Sequence, residues 1–311
     1  MKPNDLFLAG TANVPLAQSI VGLLGSSLGN CHIERFPDGE VSVEVMESVR
    51  GKDVFLIQPT SAPVNDRLME LLALADACRR AAAARITAIV PYFGYARADK
   101  RSGRRAPVTA RAVADLLEAA GINHVVTVDA HTPQLEGFFH IPIDDLSATD
   151  VLCDAQRDVL LPNTVIVSPD LGGLRRAVKF AERLGTTTAV CAKRRLDGSR
   201  VMVTQVIGDV RERRCCIVDD MITTGGTIAE AAKALRDAGA REPITAAATH
   251  GVLVAGARER LTGAGIQQIT VTDSIDVPAG WDPPLRIATV APKLAEVIRR
   301  LSAGESLRDL Y

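Results

Sequence analysis

Short runs of apolar residues alternate along this chain with longer Ala- and Leu-rich segments, and this alternation constrains the fold more than any other feature. The runs are continuous rather than strictly alternating, which is typical of parallel strands covered on both faces. Eight of them are "DVFLIQ", "RITAIVPYF", "HVVTVDAH", "TVIVSPD", "TTAVCAK", "RCCIVDD", "ITAAATHGVL" and "QQITVTDS". Between them, segments such as residues 65–84 place Leu68, Leu71 and Ala75 at helical spacing. The pattern predicts an α/β fold with right-handed crossovers.

The length of 311 residues is enough for two domains. Pro142 and a polar cluster interrupt the pattern within "HIPIDDLSATDVL". We therefore expect domains at 1–146 and 147–311, with the last helix, ended by Gly304, able to pack back on the first domain. The net charge of -1 argues against a nucleic-acid surface or a polybasic membrane anchor.

The sequence also predicts a cytoplasmic location. "MKPNDLFLAGTANVPLAQSI" is a poor signal peptide because Asp5, Asn13 and Pro15 interrupt its apolar character. No apolar segment is long enough to predict a membrane span. The six cysteines show no C-x-x-C spacing, and Cys215 and Cys216 lie in an apolar run, as expected of buried reduced thiols.

Charged and polar residues repeatedly come just after an apolar run. They are Asp129 and His131, then Asp170, the basic residues 193–195, and the pair Asp219 and Asp220. In open parallel sheets, ligands bind beyond the carboxyl ends of the strands. We therefore expect these side chains to lie together at the carboxyl edge of the sheet.

The stretch "CCIVDDMITTGGTIAEAAKALRDAGA", residues 215–240, has a strand, two aspartates, a Thr- and Gly-rich loop and a helix. The glycines allow a sharp turn, Thr227 and Glu230 predict a capping box, and the helix N-terminus favours a phosphate. Because carboxylates repel phosphate, Asp219 and Asp220 suit sugar hydroxyls instead. An isolated glycine pair would be a plain turn, but the whole pattern indicates a sugar-phosphate site.

This stretch resembles the phosphoribosyl diphosphate motif of type I phosphoribosyltransferases. Other motifs occur in order, namely "FPDGE" (36–40), "PVNDRLMELL" (63–72), "PYFGYARADKR" (91–101), "DAHTPQLEGFF" (129–139), "SPDLGGLRRA" (168–177) and "AKRR" (192–195). Together they resemble the ribose-phosphate diphosphokinase family over essentially the whole chain. The resemblance implies two similar domains, each a mainly parallel sheet flanked by helices and each type I phosphoribosyltransferase-like.

The family transfers the β,γ-diphosphoryl group of ATP to the 1-hydroxyl of ribose 5-phosphate and releases AMP. By resemblance, Asp219 and Asp220 hold the ribose hydroxyls. The residues that would hold the 5-phosphate are Thr223, Thr224, Gly225, Gly226 and Thr227. Lys193 and Arg195 match the catalytic basic pair of a flexible loop in the family, and Arg195 would also contact ribose 5-phosphate.

Metal and ATP contacts are implied in the same way. His131 matches a Mg²⁺ ligand that also contacts ATP, and Asp170 matches the ligand of a second Mg²⁺, giving two ions per site. Arg97 matches an ATP-contacting arginine. Without the resemblance, His131 would be a structural histidine and Asp170 a helix cap. No Walker A pattern occurs, so metals and cations would hold the phosphates.

A loop with Phe36, Asp38, Gly39 and Glu40 matches one that contacts ATP across a subunit boundary in the family. The resemblance therefore implies a homo-oligomer with a shared active site, and hexamers are the family's usual form. From the residues alone, Asp38-Gly39 predicts an ordinary β-hairpin turn between two alternating runs.

Two residues depart from the family pattern: Ala98 replaces a glutamine and Thr223 an aspartate. Because of these two departures, the resemblance does not predict the nucleotide preference or the regulation by phosphate or ADP. Three other functions fit the sequence less well. A single-domain phosphoribosyltransferase does not account for the N-terminal half, and a dehydrogenase lacks its G-x-G-x-x-G after a strand. A non-catalytic regulatory paralogue is disfavoured because His131, Lys193 and Arg195 are all present.

Overall fold

The computed structural model describes all residues except 1, 3, 158–159, 161, 198–199, 278–279 and 282–283, and only the backbone of 193–197 and 200–204. The chain divides into two compact units. The first contains residues 1–147, 274–276 and 290–311, and the second contains residues 148–273 and 277–289.

The first unit is built on a five-stranded sheet. Its strands and early helices are β1 (Asp5–Ala9), α1 (Val14–Leu23), β2 (Cys31–Arg35), β3 (Val41–Val45), β4 (Asp53–Ile57), α2 (Val64–Arg80), β5 (Arg85–Val90), α3 (Thr109–Ala120), β6 (His124–Val128) and β7 (Ile143–Leu146). The sheet order is β1-β4-β5-β6-β7, and every neighbouring pair is parallel. Strands β2 and β3 form the predicted antiparallel hairpin beside it.

The second unit is built on a seven-stranded sheet. Its elements are α4 (Thr149–Gln156), β8 (Thr164–Ser168), α5 (Leu174–Leu184), β9 (Thr188–Asp197), β10 (Arg200–Ile207), β11 (Arg214–Ile222), α6 (Gly226–Asp237), β12 (Ile244–Gly251), α7 (Ala257–Gly263), β13 (Ile266–Thr272) and β14 (Leu285–Ala288). The order is β10-β9-β8-β11-β12-β13-β14. Within the described part of this sheet, only the β9–β10 pair is antiparallel.

The last helix, α8 (Ala291–Ala303), returns to the first unit and packs on α1. It ends at Gly304, whose φ of 73° is the left-handed conformation that terminates many helices. Ser302 fastens α8 to the sheet, because its hydroxyl donates to Asp5 Oδ2 at 2.6 Å.

Helices cover both faces of the second sheet. On one face Leu152 of α4 and Phe180 of α5 pack on Ile166. On the other, Ile228 of α6 and Leu261 of α7 pack on Ile217. The predicted α/β architecture of mainly parallel sheets flanked by helices is therefore confirmed, and each of the eight apolar runs contains a strand. No helix among the described residues has the length and apolar character that a membrane span needs.

Strand order reverses once within the second sheet. From β8 the chain passes through α5 to β9 on one side, then returns through β10 to β11 on the other side of β8. The connections that leave β8 and β11 therefore diverge and leave a crevice beyond their carboxyl ends. This is the topological switch point at which open α/β sheets bind ligands.

Candidate functional site

The crevice at the switch point collects the polar residues that follow β8 and end β11. Asp170 follows β8, and Asp219 and Asp220 lie near the end of β11. The strand extends two residues beyond the aspartates, because β12 keeps pairing with β11 as far as Ile222. The loop from Thr223 to the start of α6 then passes over the same edge.

Asp219 and Asp220 form an acidic pair close to Arg176. Their side chains are 18% and 6% exposed, and Asp219 Oδ1 also accepts a hydrogen bond from the Asp220 amide at 2.9 Å. Nη1 of Arg176 lies 3.8 Å from Asp219 Oδ1 and 3.9 Å from Asp220 Oδ1. Burial and the neighbouring Asp220 carboxylate raise the pKa of Asp219, and Arg176 offsets only part of this effect.

The loop after β11 turns on Gly225, which has a φ of 75°. A Cβ at this position would lie 2.8 Å from Cγ of Leu261, so both the backbone conformation and the space require glycine. Helix α6 then begins at Gly226, with its amide end at the loop. The predicted capping box is wrong: Gly225 is the N-cap and makes no side-chain cap bond, and Thr227 already lies inside the first turn of the helix.

Helix α7 and the segment before it hold this loop in place. The guanidinium Nη1 of Arg260 donates to the Thr224 carbonyl at 2.7 Å. The Val254 amide donates to the Thr223 carbonyl at 3.0 Å. These two bonds hold the loop carbonyls from outside the crevice.

Asp170 opens the turn between β8 and α5. Its Oδ1 accepts a hydrogen bond from the Gly173 amide at 3.0 Å, and its carbonyl accepts one from the Ser168 hydroxyl at 2.6 Å. These bonds fit the turn-forming role, and they also fix the carboxylate at the crevice. Lys193 and Arg195 belong to β9 by their backbone, but their side chains lie outside the described part of the structure.

In the first unit, four candidate residues lie at the tip of the hairpin. Phe36 is 43% exposed, and its amide and the Glu40 carbonyl hydrogen bond at 2.8 Å. Asp38 Oδ1 accepts from the Glu40 amide at 3.1 Å, and Gly39 has a φ of 97°. Arg35, at the end of β2, forms an ion pair with Asp66 of α2, which ties the hairpin to the helix. Phe36 is therefore presented to solvent by a fixed turn.

Arg97 and His131 follow β5 and β6 and are both exposed. The connection that carries His131 starts at Asp129, whose φ of 40° is strained for a non-glycine residue. Oδ1 of Asp145, from β7, accepts a hydrogen bond from the Ala130 amide at 2.9 Å. The turn after β6 is thus built from polar contacts that hold His131 at the sheet edge.

Comparison with known proteins identifies the family. Residues 6–121 match the model of the N-terminal domain of ribose phosphate pyrophosphokinase, and residues 200–311 match that of the phosphoribosyl synthetase-associated domain. The ribose-phosphate pyrophosphokinase of Chromobacterium violaceum is 46% identical, covering 98% of this chain and 94% of the relative. That of Campylobacter jejuni is 45% identical, covering 97% of each. The chain belongs to the ribose-phosphate pyrophosphokinase family.

The fold agrees with this assignment over nearly the whole chain. The crystal structure of phosphoribosylpyrophosphate synthetase from Mycobacterium smegmatis superposes with a TM-score of 0.89 at 40% identity, covering 97% of this chain and 99% of that one. The family and enzyme class predicted from the ordered motifs are therefore confirmed. These relatives give no support to the non-catalytic alternative.

Two residues that the sequence reasoning missed bear on the family's site. Arg176 is the basic neighbour of both aspartates, and it lies within the quoted motif "SPDLGGLRRA", so the motif itself contained the signal. Arg260 binds the loop from α7, far along the chain, and no local pattern marks it. Arg176 is therefore a cation near the aspartates to which the sequence assigned no role.

Proposed function

We propose that this member of the ribose-phosphate pyrophosphokinase family transfers the diphosphoryl group of ATP to the 1-hydroxyl of ribose 5-phosphate and releases AMP. The observation that carries the proposal is the crevice of the second unit. There an acidic pair and a glycine turn at a helix N-terminus adjoin each other at the point where the strand order reverses.

Ribose 5-phosphate would bind with its phosphate at the loop and its hydroxyls at the aspartates. The amide end of α6 and the hydroxyls of Thr223, Thr224 and Thr227 favour an anion. Asp219 and Asp220 can accept hydrogen bonds from adjacent ribose hydroxyls. Such bonds stabilise charged carboxylates, so binding should lower the pKa of Asp219 and release protons.

Lys193 and Arg195 are proposed as the catalytic cations. In the transfer, the 1-hydroxyl oxygen bonds to the β-phosphorus, the bond from that phosphorus to the α,β-bridging oxygen breaks, and the hydroxyl proton is released. The protein contributes alignment and compensation of charge, because phosphoryl transfer needs little covalent help. Phe36 and Arg97 are proposed to contact the nucleotide, with Asp38, Gly39 and Glu40 beside them.

We propose that Mg²⁺ serves as the cofactor, two ions per site, with His131 and Asp170 as the protein ligands. No group of three or more His, Cys, Asp or Glu side chains in the described ranges is arranged to hold a metal. This fits Mg²⁺, which is usually bound by one or two carboxylates with water and substrate phosphates. When bound, the ion would neutralise phosphate charge and orient the β-phosphate.

Two further features of the family are proposed. The first is a homo-oligomer, a hexamer as is usual in the family, with shared active sites; a fixed hairpin that exposes Phe36 suits contact with a neighbouring subunit. A cytoplasmic location is supported by six free cysteines, five of them buried, as expected in a reducing compartment.

The decisive experiment is a coupled assay for AMP formed from ATP, ribose 5-phosphate and Mg²⁺. We expect AMP only when all three are present. Folded protein that binds ribose 5-phosphate but forms no AMP would support the regulatory paralogue instead. Light scattering tests the shared site separately, and a fully active monomer would contradict it.

A further inference from the structure

A second cavity lies in the second unit, at the amino ends of the strands rather than at their carboxyl ends. Its volume is about 580 Å³, within the range of small-molecule sites. Thr164 begins β8 at its wall, Thr187 precedes β9, and Arg213 precedes β11. A five-residue strand such as β8 spans about 17 Å, so the cavity is separate from the crevice.

Three guanidinium groups line this cavity, contributed by Arg157, Arg183 and Arg213. No carboxylate lines it among the described residues. Asp154 lies next to it, with Oδ1 3.2 Å from Nε of Arg157 and Oδ2 3.8 Å from Nη2 of Arg183. Among the described residues, Asp154 thus pairs with two of the three arginines.

Arg213 is held at the cavity wall by a hydrogen bond to the backbone. Its Nε donates to the Asn163 carbonyl at 3.4 Å, and the residue lines the cavity. A guanidinium with two terminal N–H groups matches the geometry of a phosphate. The arrangement thus offers an anion both charge and paired donors.

The rest of the wall is partly apolar. Leu160, Pro162 and Leu184 line the cavity, and Leu160 and Leu184 also pack on the core of this unit. The volume far exceeds that of a single water, about 30 Å³, and leaves room for an organic group beside a phosphate. An inorganic anion alone would leave the apolar side chains of the wall in contact with water.

We propose that this cavity binds a phosphorylated small molecule, with the phosphate on the three arginines and an apolar moiety against Leu160, Pro162 and Leu184. Asp154 acts as an internal competitor that holds two of the arginines when the ligand is absent. The site is independent of the proposed catalytic crevice.

A local reporter separates this site from the crevice. Thr187 is exposed at the rim, so Thr187→Cys can carry a trifluoromethyl label for ¹⁹F NMR in the full-length protein. The titrants are phenyl phosphate and inorganic phosphate. We expect saturable shifts with both and tighter binding of phenyl phosphate, because only it contacts the apolar wall. Equal affinities, or no shift with either, would overturn the proposal.

Substitutions then test the arginines and their competitor. Arg183→Gln and Arg213→Gln should each weaken phenyl phosphate about tenfold, as expected for loss of a hydrogen bond to a charged group. Asp154→Asn should tighten binding, which a merely structural carboxylate would not do. Arg241→Gln is the matched control, because Arg241 pairs with Glu212 outside the cavity. Unchanged binding in all three test variants would refute the site.

The AMP assay keeps this test distinct from the proposed function. At saturating ATP and ribose 5-phosphate, Arg183→Gln and Arg213→Gln should form AMP at the normal rate. A protein without activity but with arginine-dependent phenyl phosphate binding would refute only the proposed function. An active protein without that binding would refute only the second site.

Discussion

The two sheets are both parallel in their main part, yet their strands are ordered differently. In the first sheet the chain adds strands in one direction, from β1 through β4, β5 and β6 to β7. In the second it starts at β8, goes one way to β9 and then returns to the other side with β11. Only the second order leaves diverging connections, and hence a crevice, at the carboxyl edge.

The difference shows in where the candidate residues lie within each unit. In the second unit Asp170, Asp219, Asp220 and the loop after β11 share one crevice. In the first unit the candidates are divided between a hairpin tip and two loops after β5 and β6. The proposed sugar-phosphate contacts therefore lie together in one unit, whereas the proposed nucleotide contacts of the first unit are spread over separate segments.

Removal of a catalytic cation from the second unit should have the largest effect. Lys193→Ala should lower the rate of AMP formation about 10²–10³-fold, the usual cost of one preorganised charge-stabilising group. Lys233→Ala is the matched control, since Lys233 makes only an exposed ion pair with Asp237 on α6. An effect of equal size in both variants, measured with unchanged melting temperatures, would contradict the assignment.

Two glycines with positive φ provide the next test, because each lies in a different unit. Alanine at Gly225 would clash with Leu261, whereas a Cβ at Gly39 meets nothing within 4 Å. Each alanine substitution should lower the free energy of unfolding by about 1–2 kcal/mol through backbone strain. Gly225→Ala should in addition raise the KM for ribose 5-phosphate about tenfold, equivalent to about 1.4 kcal/mol. Gly39→Ala should leave that KM unchanged. Steady-state kinetics of the two variants measures this difference, and an equal rise in KM in both would contradict it.

A smaller effect is expected at the outside support of the phosphate loop. Arg260→Ala removes the hydrogen bond to the Thr224 carbonyl, a contact that contributes about 0.5–1.5 kcal/mol. The KM for ribose 5-phosphate should rise severalfold and kcat should stay the same. Arg258→Ala, on the same helix, is the control. A change in kcat alone would mean that the loop does not need this support.

The smallest effects concern stability, and they should have opposite pH dependence in the two units. Asp219 has a raised pKa because of burial and Asp220, so its contribution to stability is full below the ordinary aspartate pKa of about 3.9 and is lost as pH rises to the folded value. Asp219→Asn should therefore raise the melting temperature near pH 8. About 1 kcal/mol corresponds to about 2–4 °C.

Asp144 of β7 is the counterpart in the first unit. Burial would raise its pKa, but hydrogen bonds from His124 and Tyr311 outweigh burial and lower it. Its contribution to stability is present above the ordinary aspartate pKa and is lost as pH falls through the folded value. Asp144→Asn should lower the melting temperature at pH 7 and have no effect at the acid end of the scan. If Asp219→Asn and Asp144→Asn changed the melting temperature in the same direction, the predicted opposite pH dependence of the two units would be wrong.

Much of the fold could be predicted because long apolar runs and helical spacing are local signals. The strands not predicted were short or at an edge, such as β7, where the polar sequence "IDDL" is stabilised by Asp144 and Asp145 through contacts with other elements. Strand order could not be predicted, since a right-handed crossover can continue or reverse a sheet equally well. The motifs located Asp219, Asp220 and the glycine turn, but the bond from Arg260 depends on tertiary packing.

The return of α8 to the first unit has a consequence for how the chain is made. Residues 148–273 are synthesised before the helix that covers α1 exists, so the first unit cannot be completed until the ribosome reaches the final turns. Until then α1 lacks its contact with α8. The second unit can thus finish folding first, and in a nascent chain stalled before residue 291 helix α1 would lack this partner.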